Sequence, residues 1–292
     1  MKAVIFGANG QDGIYLQEEC RRSEIQVVPF SRSLNKEAGD VSQYGSVANI
    51  ISVEQPDYIF HLAANSTTRH DALFENHETI STGTLNILEA VKRHKPTAKV
   101  FITGSGVQFK NTGQPITEDA DFEASSPYAI ARIHSVYAAR YFRSLGIKSY
   151  VGYLFNHESP FRKESGVSQK IVKAVKRIAA GSSEKIEMGN INVEKEWAFA
   201  GDIAKGILKL VEQDDLFEAV IGSGKAYSIR EWIEICFSLI GKDWKEYVIE
   251  QDNFKGEYGR LVSMPNKMIS VGWHTETNIN ELAEMMLADS SL

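Results

Sequence analysis

Tyr128 and Arg132 stand four residues apart in the run Pro127-Tyr128-Ala129-Ile130-Ala131-Arg132. On a helix, that spacing puts the phenol and the guanidinium on one face, where both can point at one bound molecule. A free tyrosine ionises near pH ~10, so it exchanges protons at neutral pH only with cationic help, which Arg132 can supply. Such a pair suits hydride chemistry at an alcohol or a carbonyl. Upstream, Val100-Phe101-Ile102-Thr103-Gly104-Ser105 reads as an apolar strand that ends in small and hydroxylic residues. Ser105 is then expected at the carboxyl edge of a sheet, where open α/β folds bind ligands, with its hydroxyl beside Tyr128.

A Tyr and an Arg at this spacing are common, and the pair gains meaning from the amino terminus. Gly7-Ala8-Asn9-Gly10-Gln11-Asp12-Gly13 follows a short apolar strand and opens a helix. Glycines there let the backbone approach a pyrophosphate, and the helix amino terminus offers N–H donors and a positive dipole end. The spacing is G-x-x-G-x-x-G, and a plain strand-to-helix turn needing positive φ is the alternative. The second predicted strand ends in Phe30-Ser31-Arg32-Ser33, with no Asp or Glu to bind two ribose hydroxyls. Arg32 between two serines instead offers donors to a 2′-phosphate, which favours NADP over NAD; a solvated loop arginine is the bland reading. Gly39-Asp40-Val41 could set a carboxylate against the adenine amino group, or form an ordinary turn.

Short apolar runs at 3–6, 26–30, 58–62, 99–103 and 150–155 read as strands, with helical patterns at 13–22, 47–53, 79–94 and 127–145 between them. That alternation predicts an α/β fold, a Rossmann-type doubly wound parallel sheet. Beyond residue 155, helices at 167–180, 202–213 and 229–240 mix with short strands, as a smaller α/β substrate-binding lobe at the carboxyl side would. A chain of 292 residues, 43% hydrophobic, is long enough for such a unit with its lobe. The net charge of −6 is spread without a Lys/Arg block, which argues against nucleic acid or an anionic membrane as partner. No apolar run approaches the ~20 residues of a membrane span, and none at the start suits a signal peptide. Cys20 and Cys236 are too few and too far apart for a disulfide framework, so a reduced, cytoplasmic setting is expected. His61, His70, His77 and His134 match no compact ligand spacing, and no metal is expected.

With these residues in view, the chain resembles an extended short-chain dehydrogenase/reductase acting on nucleotide sugars, and within that superfamily the GDP-mannose 4,6-dehydratase group. The resemblance is carried by Gly7 through Leu16, His61-Leu62-Ala63-Ala64, Gly83-Thr84, Ser126-Pro127-Tyr128 and Leu154-Phe155-Asn156-His157-Glu158-Ser159-Pro160. Gly189-Asn190, Trp197, Tyr227 to Glu231 and Gly272-Trp273 extend it nearly end to end. The glycine turn and the Tyr are shared across a superfamily, whereas 155–160 is much more specific.

The resemblance implies a dinucleotide-binding domain over 1–154 plus about 190–218, and a nucleotide-sugar lobe over 155–189 and 219–292. It implies NADP held by Gly7, Asn9, Gly10, Gln11, Asp12, Gly13, Arg32, Asp40 and Val41, then Leu62, Ala63 and Ala64, with Tyr128, Arg132, Leu154, Asn156 and His157. A GDP-sugar substrate would meet Ser105, Asn156, Lys170 and Lys195, and His157 would orient its loop. Helices around 79–94 and 127–145 would form the interface of a homodimer or tetramer.

Three positions depart from the family pattern. A 4,6-dehydratase oxidises C4, uses a base and an acid to remove the C5 proton and expel the C6 hydroxyl, then returns the hydride. The acidic residue expected two positions after Ser105 is Val107, which cannot move protons. The usual Lys is Arg132, and the usual Asn or Asp three before Gly83 is Ile80. Oxidation or reduction at C4 needs only Ser105, Tyr128 and the cofactor, so the expected activity is a 4-dehydrogenase or 4-ketoreductase of a GDP-linked sugar. A dehydratase with a base relocated to Glu118, Asp119 or Glu158, a 4-epimerase, and a catalytically silent binding protein are the alternatives.

Overall fold

Six apolar segments pair in parallel to make one sheet in the computed structural model, which describes residues 1–35, 39–163, 166–251 and 258–288. In chain order the first half runs β1 (Lys2–Phe6), α1 (Gln11–Arg22), β2 (Gln26–Phe30), α2 (Arg32–Asn35), α3 (Tyr44–Glu54) and β3 (Tyr58–His61). It continues through α4 (Leu73–Asn76), α5 (Gly83–His94), β4 (Lys99–Ser105), α6 (Pro127–Ser144) and β5 (Ser149–Leu154). The second half holds β6 (His157–Glu158), α7 (Val167–Ala179), β7 (Ile186–Met188), β8 (Glu194–Glu196), β9 (Ala198–Phe199), α8 (Ala200–Val211) and β10 (Glu218–Ile221). It closes with β11 (Ala226–Ser228), α9 (Ile229–Ser238), β12 (Val248–Glu250), β13 (Arg260–Leu261), α10 (Asn266–Ser270) and α11 (Ile279–Ala288).

The main sheet has the order β10-β5-β4-β3-β1-β2. The chain winds outward in one direction from β1 to β2 and in the other from β3 to β10, and crevices at such a switch in strand order receive ligands at the carboxyl ends of the strands. Alternating side chains feed two cores. Val4, Phe6, Ile59, Val100 and Ile102 pack under α3, α5 and α6, whereas Ala3, Ile5, Phe60 and Phe101 face α1 and α8. A third core joins α7, α9 and α11 around the stacked rings of Trp197 and Trp232, 4.7 Å apart.

The doubly wound α/β fold is as expected, with three local differences. The sixth strand, β10, comes from beyond residue 155, because its four residues show their pairing with β5 only in three dimensions. Helix 79–94 starts earlier, at α4, which runs through a π-helical turn, His77–Thr82, into α5. There Thr84 Oγ1 and Ser135 Oγ both donate to the Ile80 carbonyl, at 2.7 and 3.2 Å, supplying the acceptor with partners that a regular helix would not. Helix 13–22 begins two residues early, at Gln11, so Gln11 and Asp12 belong to its first turn. Cys20 and Cys236 are buried, and burial pushes the Cys20 thiol up to about 12. Among the described residues, no helix is long and apolar enough to cross a membrane.

Candidate active site

The glycine turn is shaped by contacts that exclude side chains. Gly7 has φ +90, and a Cβ on it would lie 2.6 Å from the Ala63 nitrogen; a Cβ on Gly13 would strike the carbonyls of Gly7 and Ala8. Leu62 and Ala63 thus abut the turn through their backbone. Gly10 caps α1 without any side-chain hydrogen bond, which leaves first-turn N–H groups for an anion. This cradle fits a dinucleotide pyrophosphate. Asn9 Nδ2 donates to Ser33 Oγ at 2.6 Å, tying the turn to the segment that carries Arg32. Asp40 caps its own turn by accepting from the Ser42 N–H at 2.9 Å, and Val41 is buried in the core.

A cavity of about 300 Å³ opens at the carboxyl ends of the strands. Asp12, Leu62, Ser105, Val107, Tyr128, Arg132, Leu154, Asn156 and His157 all line it, so residues scattered over 145 positions converge there. Ser105 ends β4 and Tyr128 lies in the first turn of α6, whose amino terminus is fixed by Ser126 accepting from the Ala129 N–H at 3.1 Å. The Ser105 hydroxyl oxygen accepts from the Gln108 backbone N–H, while the Gln108 carboxamide accepts from the Ser105 N–H at 2.8 Å. That reciprocal cap aims the serine and leaves its proton free to donate.

Arg132 is 2% exposed. Its Nη1 donates to the Thr103 carbonyl at 2.7 Å, and its guanidinium carbon lies 5.0 Å from the Tyr128 ring centroid. The cation therefore stacks on the phenol and is anchored to the strand that carries Ser105. It also works with burial against charging of His61, whose imidazole sits at about 3 and is neutral.

Asp12 and His157 join the glycine turn to the 155–160 loop. His157 Nδ1 donates to the Phe155 carbonyl at 2.7 Å, and Nε2 meets Asp12 Oδ1 at 2.7 Å; Ser159 Oγ donates to Gln11 at 2.9 Å. Burial works to raise the Asp12 carboxyl, but the His157 charge and hydrogen bond outweigh it and hold Asp12 at about 2. For His157, burial works downward and Asp12 overcomes it, so the imidazole titrates above its ordinary 6.5. A raised basic group contributes stability that is complete below 6.5 and lost as pH rises through the folded value. Melting temperature is thus expected to fall with rising pH above 6.5, and His157→Gln to flatten that alkaline decline in a thermal-shift series.

The two lysines expected at the substrate are placed elsewhere. Lys195 is 7% exposed, 3.0 Å from Glu158 Oε1 and 4.2 Å from the Trp197 ring centroid. Lys170 donates to the Glu187 carbonyl. Neither lines the cavity, because each ammonium is drawn to an oxygen of the lobe itself. Arg162 and Tyr258 do line it, and sequence reasoning missed both. Arg162 lies two residues past the quoted 155–160 motif, a signal that could have found it; Tyr258 has none, as its hydroxyl reaches Asn156, 102 positions away, only through folding.

A family model described as GDP-mannose 4,6 dehydratase matches residues 4–286. The chain belongs to the GDP-mannose 4,6 dehydratase family. GDP-mannose 4,6 dehydratase 2 of Arabidopsis thaliana is 30% identical over 318 residues, covering 98% of this chain and 85% of that one. GDP-mannose 4,6-dehydratase of Vibrio cholerae serotype O1 is 32% identical over 270 residues, 82% of this chain and 72% of its own length. In fold, the chain is similar to RMD from Pseudomonas aeruginosa complexed with NADPH, with TM-score 0.86 at 20% identity over 98% and 96% of the two chains. It is similar also to the UDP-glucose 4-epimerase of Thermus thermophilus in complex with NAD, with TM-score 0.84 at 18% identity over 98% of each chain. This is a nucleotide-sugar enzyme of the short-chain dehydrogenase/reductase fold. Against the GDP-mannose 4,6 dehydratase pattern, its cavity carries Val107 beside Ser105.

Proposed function

We propose that the chain is an NAD(P)-dependent oxidoreductase acting at C4 of a GDP-linked hexose or related sugar, as a 4-dehydrogenase or 4-ketoreductase. One observation carries this reading. Among the described residues lining the cavity, Asp12 is the only carboxylate, and His157 engages it. None of the three candidates for a relocated base lines the cavity, and Glu118 and Glu158 are occupied as well. Glu118 accepts from the Val220 N–H at 3.2 Å and pairs with Lys267 at 2.8 Å; Asp119 lies 3.6 Å from the same lysine. Glu158 is buried against Lys195 and Arg162. Without a placed base, removal of a C5 proton loses about 10²–10⁴-fold in rate.

A bound nicotinamide would supply or accept the hydride at C4, and the glycine turn with the Asp12–His157 clamp would hold it. Ser105 donates its hydroxyl proton to O4. Tyr128 gives its phenol proton to O4 during reduction and takes it back during oxidation. Arg132, stacked on the phenol ring, stabilises the tyrosinate left behind. Arg32 with Ser31 and Ser33 favours NADP as the cofactor.

Incubation with GDP-mannose and other GDP-sugars, with each nicotinamide cofactor, tests this by product mass. Loss of two hydrogens with cofactor reduction supports it, and loss of water contradicts it. Dehydration remains the second reading because Glu123 lines an adjoining cavity of about 740 Å³, which shares Thr68, Val107, Tyr258 and Leu261 with the first. Glu123→Gln is expected to leave product masses unchanged. Water loss by the native protein that disappears in this variant would favour the dehydratase.

A homodimer in the cytoplasm belongs to the same reading. Leu85 on α5 and Ile130, Tyr137 and Tyr141 on α6 are 40, 48, 59 and 60% exposed. Such an apolar stripe on neighbouring helices suits a second copy. Tyr137→Asp combined with Tyr141→Asp is expected to yield a monomer by light scattering.

A further inference from the structure

Arg32, the residue offered to a 2′-phosphate, already has a neighbour. Its Nη2 lies 3.7 Å from Glu75 Oε1, and Glu75 Oε2 accepts from Asn65 Nδ2 at 2.7 Å. These groups come from three segments. Arg32 opens α2 directly after β2, Asn65 follows β3, and Glu75 sits in α4. In the sheet, β2 and β3 flank β1 on its two sides. The series Arg32, Glu75, Asn65 therefore crosses the carboxyl end of β1, where the glycine turn begins and where the adenosine half of a dinucleotide must enter.

The two halves of this bridge differ in strength. Glu75 is hydrogen-bonded to Asn65, whereas 3.7 Å from Arg32 is charge proximity beyond a good hydrogen bond. The side chains of Arg32 and Glu75 are 63% and 49% exposed, and pairs in that setting hold weakly. A phosphate dianion can take Arg32 away, but Asn65 keeps the carboxylate where it is. The incoming phosphate then faces a fixed like charge.

We propose that Glu75 is a cofactor-selecting residue, a carboxylate latch on Arg32 that opposes a dinucleotide bearing a 2′-phosphate. The proposal rests on the reading of the glycine turn as a dinucleotide site. Arg32, Ser31 and Ser33 attract the phosphate, and Glu75 repels it. NAD brings ribose hydroxyls to the same place, and these can donate to the carboxylate. Glu75 thus narrows the preference for NADP that Arg32 creates, and the end of β2 alone does not report the selectivity.

Calorimetric titration of the 292-residue protein with NADP, NAD and 2′,5′-ADP tests this in the native chain and in Glu75→Gln. Glutamine keeps the volume and an acceptor for Asn65. Glu75→Gln is expected to tighten NADP and 2′,5′-ADP by about five- to tenfold at low salt, with NAD unchanged or weaker and the gain shrinking as salt rises. Asn65→Ala, which frees the carboxylate to swing away, is expected to shift the same ligands in the same direction by less. Native-like affinities for all three ligands in Glu75→Gln would overturn the latch while leaving the dinucleotide site intact, as would equal tightening of NAD and NADP. A native protein that binds neither dinucleotide would overturn the dinucleotide reading, and the latch with it.

Discussion

Tyr128→Phe is expected to lower turnover by about 10²–10⁴-fold while dinucleotide affinity stays near the native value. The phenol lines the cavity with Ser105, and its ring carries Arg132 on one face. Phenylalanine keeps that ring and so keeps the seat of the guanidinium; only the proton at O4 is lost. Binding by calorimetry and turnover by nicotinamide absorbance separate the two effects. Unchanged binding with lost turnover identifies Tyr128 as the proton carrier. Unchanged binding in a native protein that turns over no GDP-sugar would favour a silent binding protein instead.

Lys195→Met is expected to destabilise the fold by ~3 kcal/mol, because it strips the main partner from a buried carboxylate. Burial works to raise the Glu158 carboxyl, and the charges of Lys195 and Arg162 with the Ser168 hydroxyl reverse that, holding it at about 2 against an ordinary 4.5. That gap is the work of all three partners, and stripping the main one from a buried carboxylate costs ~3 kcal/mol. The sign follows from a depressed acid: the stability is fully present above 4.5 and lost as pH falls through about 2. In Lys195→Met the loss moves to higher pH. Melting temperature should drop by about 6–10 °C near neutrality. Lys195→Met combined with Glu158→Leu should recover most of it, since an apolar pair replaces the buried ion pair and Arg162, whose side chain is 34% exposed, keeps its charge in water. A lysine serving the substrate alone would instead leave the melting temperature unmoved and raise KM.

Much of the site was readable because its parts lie in local patterns. The glycine turn needs small residues at set intervals, and Tyr128 and Arg132 share a helical face through spacing alone. Partner choice was not readable. Lys170 and Lys195 stand where family position suggests phosphate contacts, yet a flexible ammonium goes to the nearest oxygen the fold provides, here the Glu187 carbonyl and Glu158. Tyr128 and Arg132 were expected to face one bound molecule together and both line the cavity; the spacing did not show that Arg132 is also anchored to the Thr103 carbonyl of β4.

By itself, the order of apolar runs and glycines determined a doubly wound α/β chain with a glycine-rich strand-to-helix turn, a hydroxylic strand end and a Tyr–Arg helix, because strand and helix periodicity and positive-φ turns are properties of neighbouring residues. Only the tertiary structure decided that Asp12, the single carboxylate among the described residues lining the cavity that holds Ser105 and Tyr128, meets His157, and that Glu75 reaches Arg32. Those contacts join residues 43 to 145 positions apart, and charge and hydrogen-bond partners at such separations are set by which elements pack together.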